Sequence, residues 1–215
     1  MKIRLILFLS IFLASAHISF GQSFFFLSDT AGVSEYYSTG GHDVELRGII
    51  APAIEHFKNI NVNPNDAVVI DIDETALSNF EMFRASNYQW NEKLFTESIT
   101  NESAPAIKPV LELYNILIQK NFKIFFITGR AYTESNYEHT IGNLQKEGYT
   151  QIDTLIMHSK KFRGKTAQEY KSAVRAELTN AGYNLVGTIG DQWSDLGGGN
   201  SGYLVRVTNY LYYSK

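Results

Sequence analysis

The sequence predicts an α/β domain whose central sheet is mostly parallel and flanked by helices. Three observations carry that expectation. Short runs of β-branched and aromatic residues recur at 67–70, 123–128, 154–157, 185–191 and 203–207. Segments of helical length separate them, long enough for the crossovers that parallel strands require. Polar side chains stand where three of the runs end, at Asp71, Thr128 and Asp191, as expected where an open α/β sheet meets its ligand.

Along the chain, residues 22–34 show no clean period. Residues 44–57 place Leu46, Ile49, Ile50, Ala53, Ile54 and Phe57 at helical spacing, which predicts a helix packed on the sheet. Residues 61–66, with Pro64, read as the turn into the first strand. Residues 77–101 are rich in aromatic and polar side chains without a long regular period, and predict an insertion over the strand ends. A crossover helix is expected at 105–120 with Val110, Leu111, Tyr114, Leu117 and Ile118 inward, and another at 133–147, ended by Gly148. The stretch 166–181 reads as a helix between the third and fourth strands.

A chain of 215 residues with 44% hydrophobic content can bury one sizeable core, so residues 22–215 are expected to form a single domain. Lys2 and Arg4 precede an apolar run at 5–14 and the small residues Ala14-Ser15-Ala16. That run is short for a membrane span and fits a signal peptide over residues 1–21, cleaved after Ala16 or Gly21. An uncleaved anchor is the weaker alternative. Zero cysteines exclude a disulfide framework, a thiolate metal site and a lipidated N-terminal cysteine. The expected product is secreted or periplasmic, without a stable membrane anchor. Loss of residues 1–21 removes two cations and no acid, making the formal charge of −3 two units more negative. No basic stripe suits a nucleic-acid duplex, and self-association is left open.

The chemistry begins at Asp71-Ile72-Asp73-Glu74-Thr75, where a buried run delivers two carboxylates to its end. Residues two apart on a strand share a face, so one carboxylate can attack phosphorus while the other handles protons. Three further pieces follow in order: Ile127-Thr128-Gly129-Arg130, Lys171-Ser172 within the helix at 166–181, and Gly190-Asp191 with Asp195 four residues on. Each alone is an ordinary strand end or helix cation. The ordered set is specific.

At these four pieces the sequence resembles the haloacid dehalogenase (HAD) superfamily of phosphatases. Within it, Gly190-Asp191-Gln192-Trp193-Ser194-Asp195-Leu196 and Tyr170-Lys171-Ser172 are similar to the acid phosphatase branch. That branch holds plant acid phosphatases, vegetative storage proteins and bacterial class B and class C acid phosphatases. The resemblance runs from about Glu35 to the C-terminus and implies a Rossmann-like sheet with a small helical, aromatic cap at about 77–104. It implies Asp71 as nucleophile and Asp73 as general acid and base, an acid that dehalogenating members lack. Thr128 and Gly129 are expected at the phosphoryl oxygens, with Lys171 neutralising their charge. Mg²⁺ is expected on Asp71, the Asp73 backbone carbonyl and Asp191, with Asp195 behind them holding a metal water or Lys171.

The implied activity is that of a Mg²⁺-dependent acid phosphatase working on small phosphate monoesters, 5′-nucleotides among them, through an aspartyl-phosphate. The alternatives are a non-catalytic storage or phospho-ligand-binding protein and a phosphotransferase. Lys165 competes with Lys171, and the resemblance selects Lys171. Arg130 stands open between a surface or helix-capping cation and a substrate contact, and His158 is given no role. Phe80, Phe83, Tyr88, Trp90, Tyr210, Tyr212 and Tyr213 are candidates for a stacking clamp or for ordinary core. The glycine-rich 197–202 is either a flexible turn or backbone lying close to the site.

Overall fold

A computed structural model describes residues 29–213; the expected signal peptide lies outside them. Five strands, β1 (Asp66–Ile70), β2 (Lys123–Ala131), β3 (Thr154–His158), β4 (Asn184–Gly190) and β5 (Tyr203–Arg206), form one sheet in the order β3-β2-β1-β4-β5. Every neighbouring pair is parallel. Strand β1 is central, and all five of its residues are buried. Its side chains alternate between two cores, as a period of two demands. Val68 and Ile70 join Ile124, Phe126 and Ile189 on one face, whereas Ala67 and Val69 join Phe125 and Ile127 on the other.

The first face is covered by α2 (Gly41–Lys58) and α5 (Lys108–Gln119). From α2 come Leu46, Ile50, Ala53 and Phe57, four of the six positions read from its period, and from α5 come Val110, Leu113, Tyr114 and Leu117. Side chains of this size each contribute about 1.5–3 kcal/mol when buried. The opposite face is covered by α7 (Ala167–Asn180), through Tyr170 and Val174. Helix α7 begins at a capping box in which Thr166 Oγ1 accepts from Glu169 N and the Glu169 carboxylate accepts from Thr166 N. Helix α6 (Glu134–Lys146) is N-capped by Thr133.

Among the boundaries that differ from the sequence reading, two have a local cause. Helix α1 (Thr30–Ser38) lies partly in the stretch without a period, because Asp29 caps it at Gly32 N while Val33 is its one buried residue. Helix α5 starts at Lys108, three residues later than expected, because Ala106 is held in an antiparallel bridge with Leu77 and Ile107 is extended. Between β1 and β2 lie α3 (Phe80–Ala85) and α4 (Glu92–Thr100). They share a third apolar cluster with α1 and the C-terminal segment, built from Val33, Phe80, Met82, Phe83 and Leu211.

The chain moves from β1 outward to β2 and β3, then returns across β1 to β4 and β5. The strand order therefore reverses between β1 and β4, the position where open α/β sheets form a ligand crevice. Among the described residues, no helix is long and apolar enough to cross a membrane.

Candidate active site

Asp71 leaves β1 with its backbone N–H still donating to Ile189 O on β4 at 2.9 Å. The chain then turns tightly: Ile72 O accepts from the N–H groups of Thr75, Ala76 and Leu77, and Glu74 takes a left-handed φ of 59°. Across the crevice, β4 ends at Gly190 and hands Asp191 to α8 (Trp193–Leu196), whose third residue is Asp195. Carboxylate oxygens of Asp71, Asp191 and Asp195 lie within 4.8 Å of one another, all three residues buried. Thr75 Oγ1 lies between two of them, 3.3 Å from Asp71 Oδ2 and 3.2 Å from Asp191 Oδ1.

Lys171 reaches this group from α7. Its Nζ pairs with Asp71 Oδ1 and lies 2.6 Å from Asp195 Oδ1. The competing Lys165 is exposed, outside the helix. Burial opposes the Lys171 charge, yet Asp71 and Asp195 outweigh it and hold the ammonium above its ordinary value. Burial pushes the Asp71 carboxyl well above the usual range, aided by Asp195 and Asp191 against the pull of Lys171. Asp191 is pushed up to about 6, by burial first and then by Asp195. Three buried carboxylates thus face one ammonium, an imbalance costly in a desolvated site. An all-oxygen donor set with excess negative charge fits a hard divalent cation.

On the β2 side, Asp73 meets Arg130. Arg130 Nη2 lies 2.8 Å from Asp73 Oδ1, its Nε donates to the same carboxylate, and its Nη1 donates to Thr140 Oγ1 at 3.1 Å. The Arg130 side chain is only 1% exposed, so it is not a surface cation; it borders the cavity while paired with Asp73. Burial alone would raise the Asp73 pKa, but Arg130 holds it below the usual value. Asn79 Nδ2 also donates to Asp73, at 2.9 Å, and Thr128 Oγ1 lies 3.4 Å away. Gly129 is exposed, with open space above its Cα. Glu74, buried behind Asp73, is pushed up to about 8 by burial and then by the Asp73 charge.

A cavity of about 590 Å³ opens over Asp73, Gly129 and Arg130. Its walls include Phe83, Tyr88, Trp90, Tyr212 and Tyr213 of the candidate clamp, and also Phe95, which the sequence reading left out. Phe80 and Tyr210 are elsewhere. Phe80 stacks on Tyr37 in the third cluster, and the Tyr210 hydroxyl donates to Glu45. His158 meets Tyr170 edge-on. The glycine-rich 197–202 is a pinned turn: the fully buried Arg175 donates to the carbonyls of Asp195, Gly197 and Gly199.

The sheet and its flanking helices define a HAD-type α/β fold. The class C acid phosphatase from Bacillus anthracis superposes with a TM-score of 0.68 at 16% identity, over 89% of this chain and 85% of that one. Over residues 27–215 the sequence matches the family model for HAD superfamily, subfamily IIIB (acid phosphatase), and the chain belongs to that family. It is 35% identical to the stem 28 kDa glycoprotein of Glycine max, over 83% of this chain and 72% of that protein. It is 33% identical to acid phosphatase 1 of Solanum lycopersicum, over 84% and 72% respectively. The protein is a phosphoric monoester hydrolase of the acid phosphatase type.

Several residues at the site had no role in the sequence reading. Thr75 stood inside the quoted motif, where its hydroxyl was a usable signal. Gln192 likewise stood inside a quoted motif, next to Asp191, whereas Asn79 and Asn209 gave no signal. Gln192 Nε2 and Asn209 Nδ2 both donate to Asp191 Oδ2, at 2.6 and 2.7 Å, and nothing local in sequence marks a partner as distant as Asn209.

Proposed function

We propose that residues 22–215 form a single-domain, Mg²⁺-dependent phosphatase that cleaves small phosphate monoesters through an aspartyl-phosphate on Asp71. The reading rests on one observation: Asp71 stands at the β1/β4 crevice with Lys171 paired to it and Asp191 and Asp195 within 4.8 Å. Asp71, Asp191 and the Asp73 backbone carbonyl would hold Mg²⁺, whose charge screens the substrate's anionic oxygens from the attacking carboxylate.

An Asp71 oxygen attacks phosphorus, forming the new O–P bond as the ester O–P bond breaks. The leaving alkoxide takes a proton from Asp73. A water then attacks the phosphoaspartate while Asp73 takes its proton, and phosphate departs with Asp71 restored. Thr128 and Gly129 are assigned to the phosphoryl oxygens, and Lys171 to the charge they gather in the transition state. Asp195 keeps Lys171 in place.

The insertion at about 77–104 serves as the cap, and its aromatic wall favours substrates carrying a ring, 5′-nucleotides among them. A leader over residues 1–21 would direct export. A non-catalytic storage role is not favoured, because the nucleophile position is an intact carboxylate.

The test is hydrolysis of p-nitrophenyl phosphate by purified residues 22–215, with EDTA and with Mg²⁺ restored, together with acid-quench trapping of labelled phosphate on the protein. Mg²⁺-dependent turnover and label that disappears in Asp71→Asn are expected. Turnover by Asp71→Asn above a few per cent of wild type would remove the assigned nucleophile.

A further inference from the structure

Asn209 lies in the segment after β5, away from the four motifs, yet its side-chain amide is used at both ends. Nδ2 donates to Asp191 Oδ2 at 2.7 Å. Oδ1 accepts from Leu211 N at 2.7 Å and from Tyr212 N at 3.4 Å. These contacts fix the amide's orientation, since a flipped Asn209 would set oxygen against carboxylate and NH₂ against two N–H donors.

Each end matters to a different part of the site. Asp191 Oδ2 also receives Gln192 Nε2 at 2.6 Å, so two donors occupy that oxygen and Oδ1 is left facing Thr75 and the carboxylate group. A ligating carboxylate held this way presents one oxygen in one direction. At the other end, the Asn209 turn sets Leu211 and Tyr212 in the cavity wall, where Tyr212 stacks on Phe83 with centroids 5.4 Å apart. The segment is anchored from behind as well: Val207 N donates to Gly190 O, and Thr208 Oγ1 donates to Glu45.

We propose that Asn209 is a positioning residue that couples the cation site to the ring-binding wall, orienting Asp191 with its NH₂ and Tyr212 with its carbonyl. This rests on the assignment of Asp191 as a metal ligand made above. An ordered cation site then favours an ordered wall, and the reverse, because one side chain holds both.

The experiment is calorimetric titration of purified residues 22–215 with Mg²⁺ alone and with adenosine, a ring without a phosphate, so that neither readout depends on turnover. Asn209→Ala should weaken Mg²⁺ binding about tenfold or more, the usual cost of losing a ligand's outer partner, and should weaken adenosine binding in the same variant. Tyr212→Ala should weaken adenosine alone. Asn209→Asp sets a carboxylate against Asp191 Oδ2, and the like-charge repulsion should release both ends, so Mg²⁺ and adenosine affinities should fall together as in Asn209→Ala.

Unchanged Mg²⁺ and adenosine affinities in Asn209→Ala, loss of only one of them, or a lowered melting temperature with both intact would each overturn the coupling. Unchanged affinities for both ligands in Asn209→Asp would do the same. Failure of the wild type to bind Mg²⁺ would instead remove the metal-site reading, and the coupling with it.

Discussion

Arg130 and Asp73 form an ion pair, the guanidinium buried and the carboxylate partly exposed, in which Nη2 and Nε converge on one carboxylate at 2.8 to 3.2 Å. The pair ties the strand end after β1 to the strand end of β2. It also sets a condition on the proposed chemistry, because that reading asks Asp73 to deliver a proton while Arg130 favours the carboxylate.

The consequence is a pH dependence with a definite sign. Arg130 holds the Asp73 pKa below its usual value, so the protonated fraction disappears at lower pH than for a free carboxyl. In Arg130→Gln the Asp73 pKa should rise, moving the alkaline limb of kcat upward in pH. The limb should be followed with glycerol phosphate, whose poor leaving group needs the acid. A limb that stays in place would assign it to another group.

His42 supplies a second pH dependence, in stability, from outside the four motifs. Burial lowers its pKa, against a hydrogen bond to Thr208 O and the nearby Asp43 and Glu45; Tyr36 and Tyr37 pack on the ring. A histidine kept neutral in the fold takes up a proton on unfolding below about pH 6.5. The unfolded state then binds more protons, so stability falls as pH drops below that value and levels off past the folded pKa. Urea titrations should show wild type losing up to about 1.4 kcal/mol per pH unit relative to His42→Gln in that window. Parallel curves for the two proteins would mean that His42 charges without penalty.

The inner strands β1, β2 and β4 were legible because they are largely buried on both faces and read as nearly continuous apolar runs. Thr128 and Asp191 stood out because each ends a readable strand, whereas Lys171 was separated from Lys165 by the resemblance alone. Helix α1 was not legible, since one buried residue gives no period to detect. Arg130, Asn79 and Asn209 could not be assigned from sequence for a different reason. Their partners are 57, 6 and 18 residues away, and a single polar side chain carries no record of which distant carboxylate it will meet. The aromatic set stayed open between clamp and core for a related cause: an aromatic at Phe80 and one at Phe83 look alike until the helix α3 phase is known, which turns the first toward Tyr37 and the second into the cavity wall.

Gly190 has no room for a side chain, because a Cβ there would run into the Asp195 carboxylate. Asp195 Oδ2 accepts from Gln192 N at 2.8 Å and its Oδ1 holds Lys171. Gly190→Ala should therefore cost about 1–3 kcal/mol in stability, the range for a forced shift in a packed site. Its larger effect should be on kcat, since the displaced carboxylate takes Lys171 with it. Urea unfolding beside kcat on p-nitrophenyl phosphate separates the two, and a stable variant with full turnover would show that the Asp195 position is not critical.

The aromatic residues divide into wall and core, and the division can be measured. Trp90 is 56% exposed, stands in the cavity wall beside Phe95 with centroids 4.7 Å apart, and donates its Nε1 to Glu92 at 3.2 Å. Ring stacking on a base is worth about 1–3 kcal/mol, and a grip on the non-reacting part of a substrate acts on KM without changing kcat. Trp90→Ala should raise KM for a 5′-nucleotide about tenfold and leave that for glycerol phosphate nearly unchanged. Phe80→Ala should do neither, and should instead lower stability by about 3–5 kcal/mol, since Phe80 is buried against Tyr37 with centroids 5.0 Å apart and planes within 10°. Equal KM increases on both substrates in Trp90→Ala would make Trp90 a general lid residue, and the preference for ring-bearing substrates would lose its support.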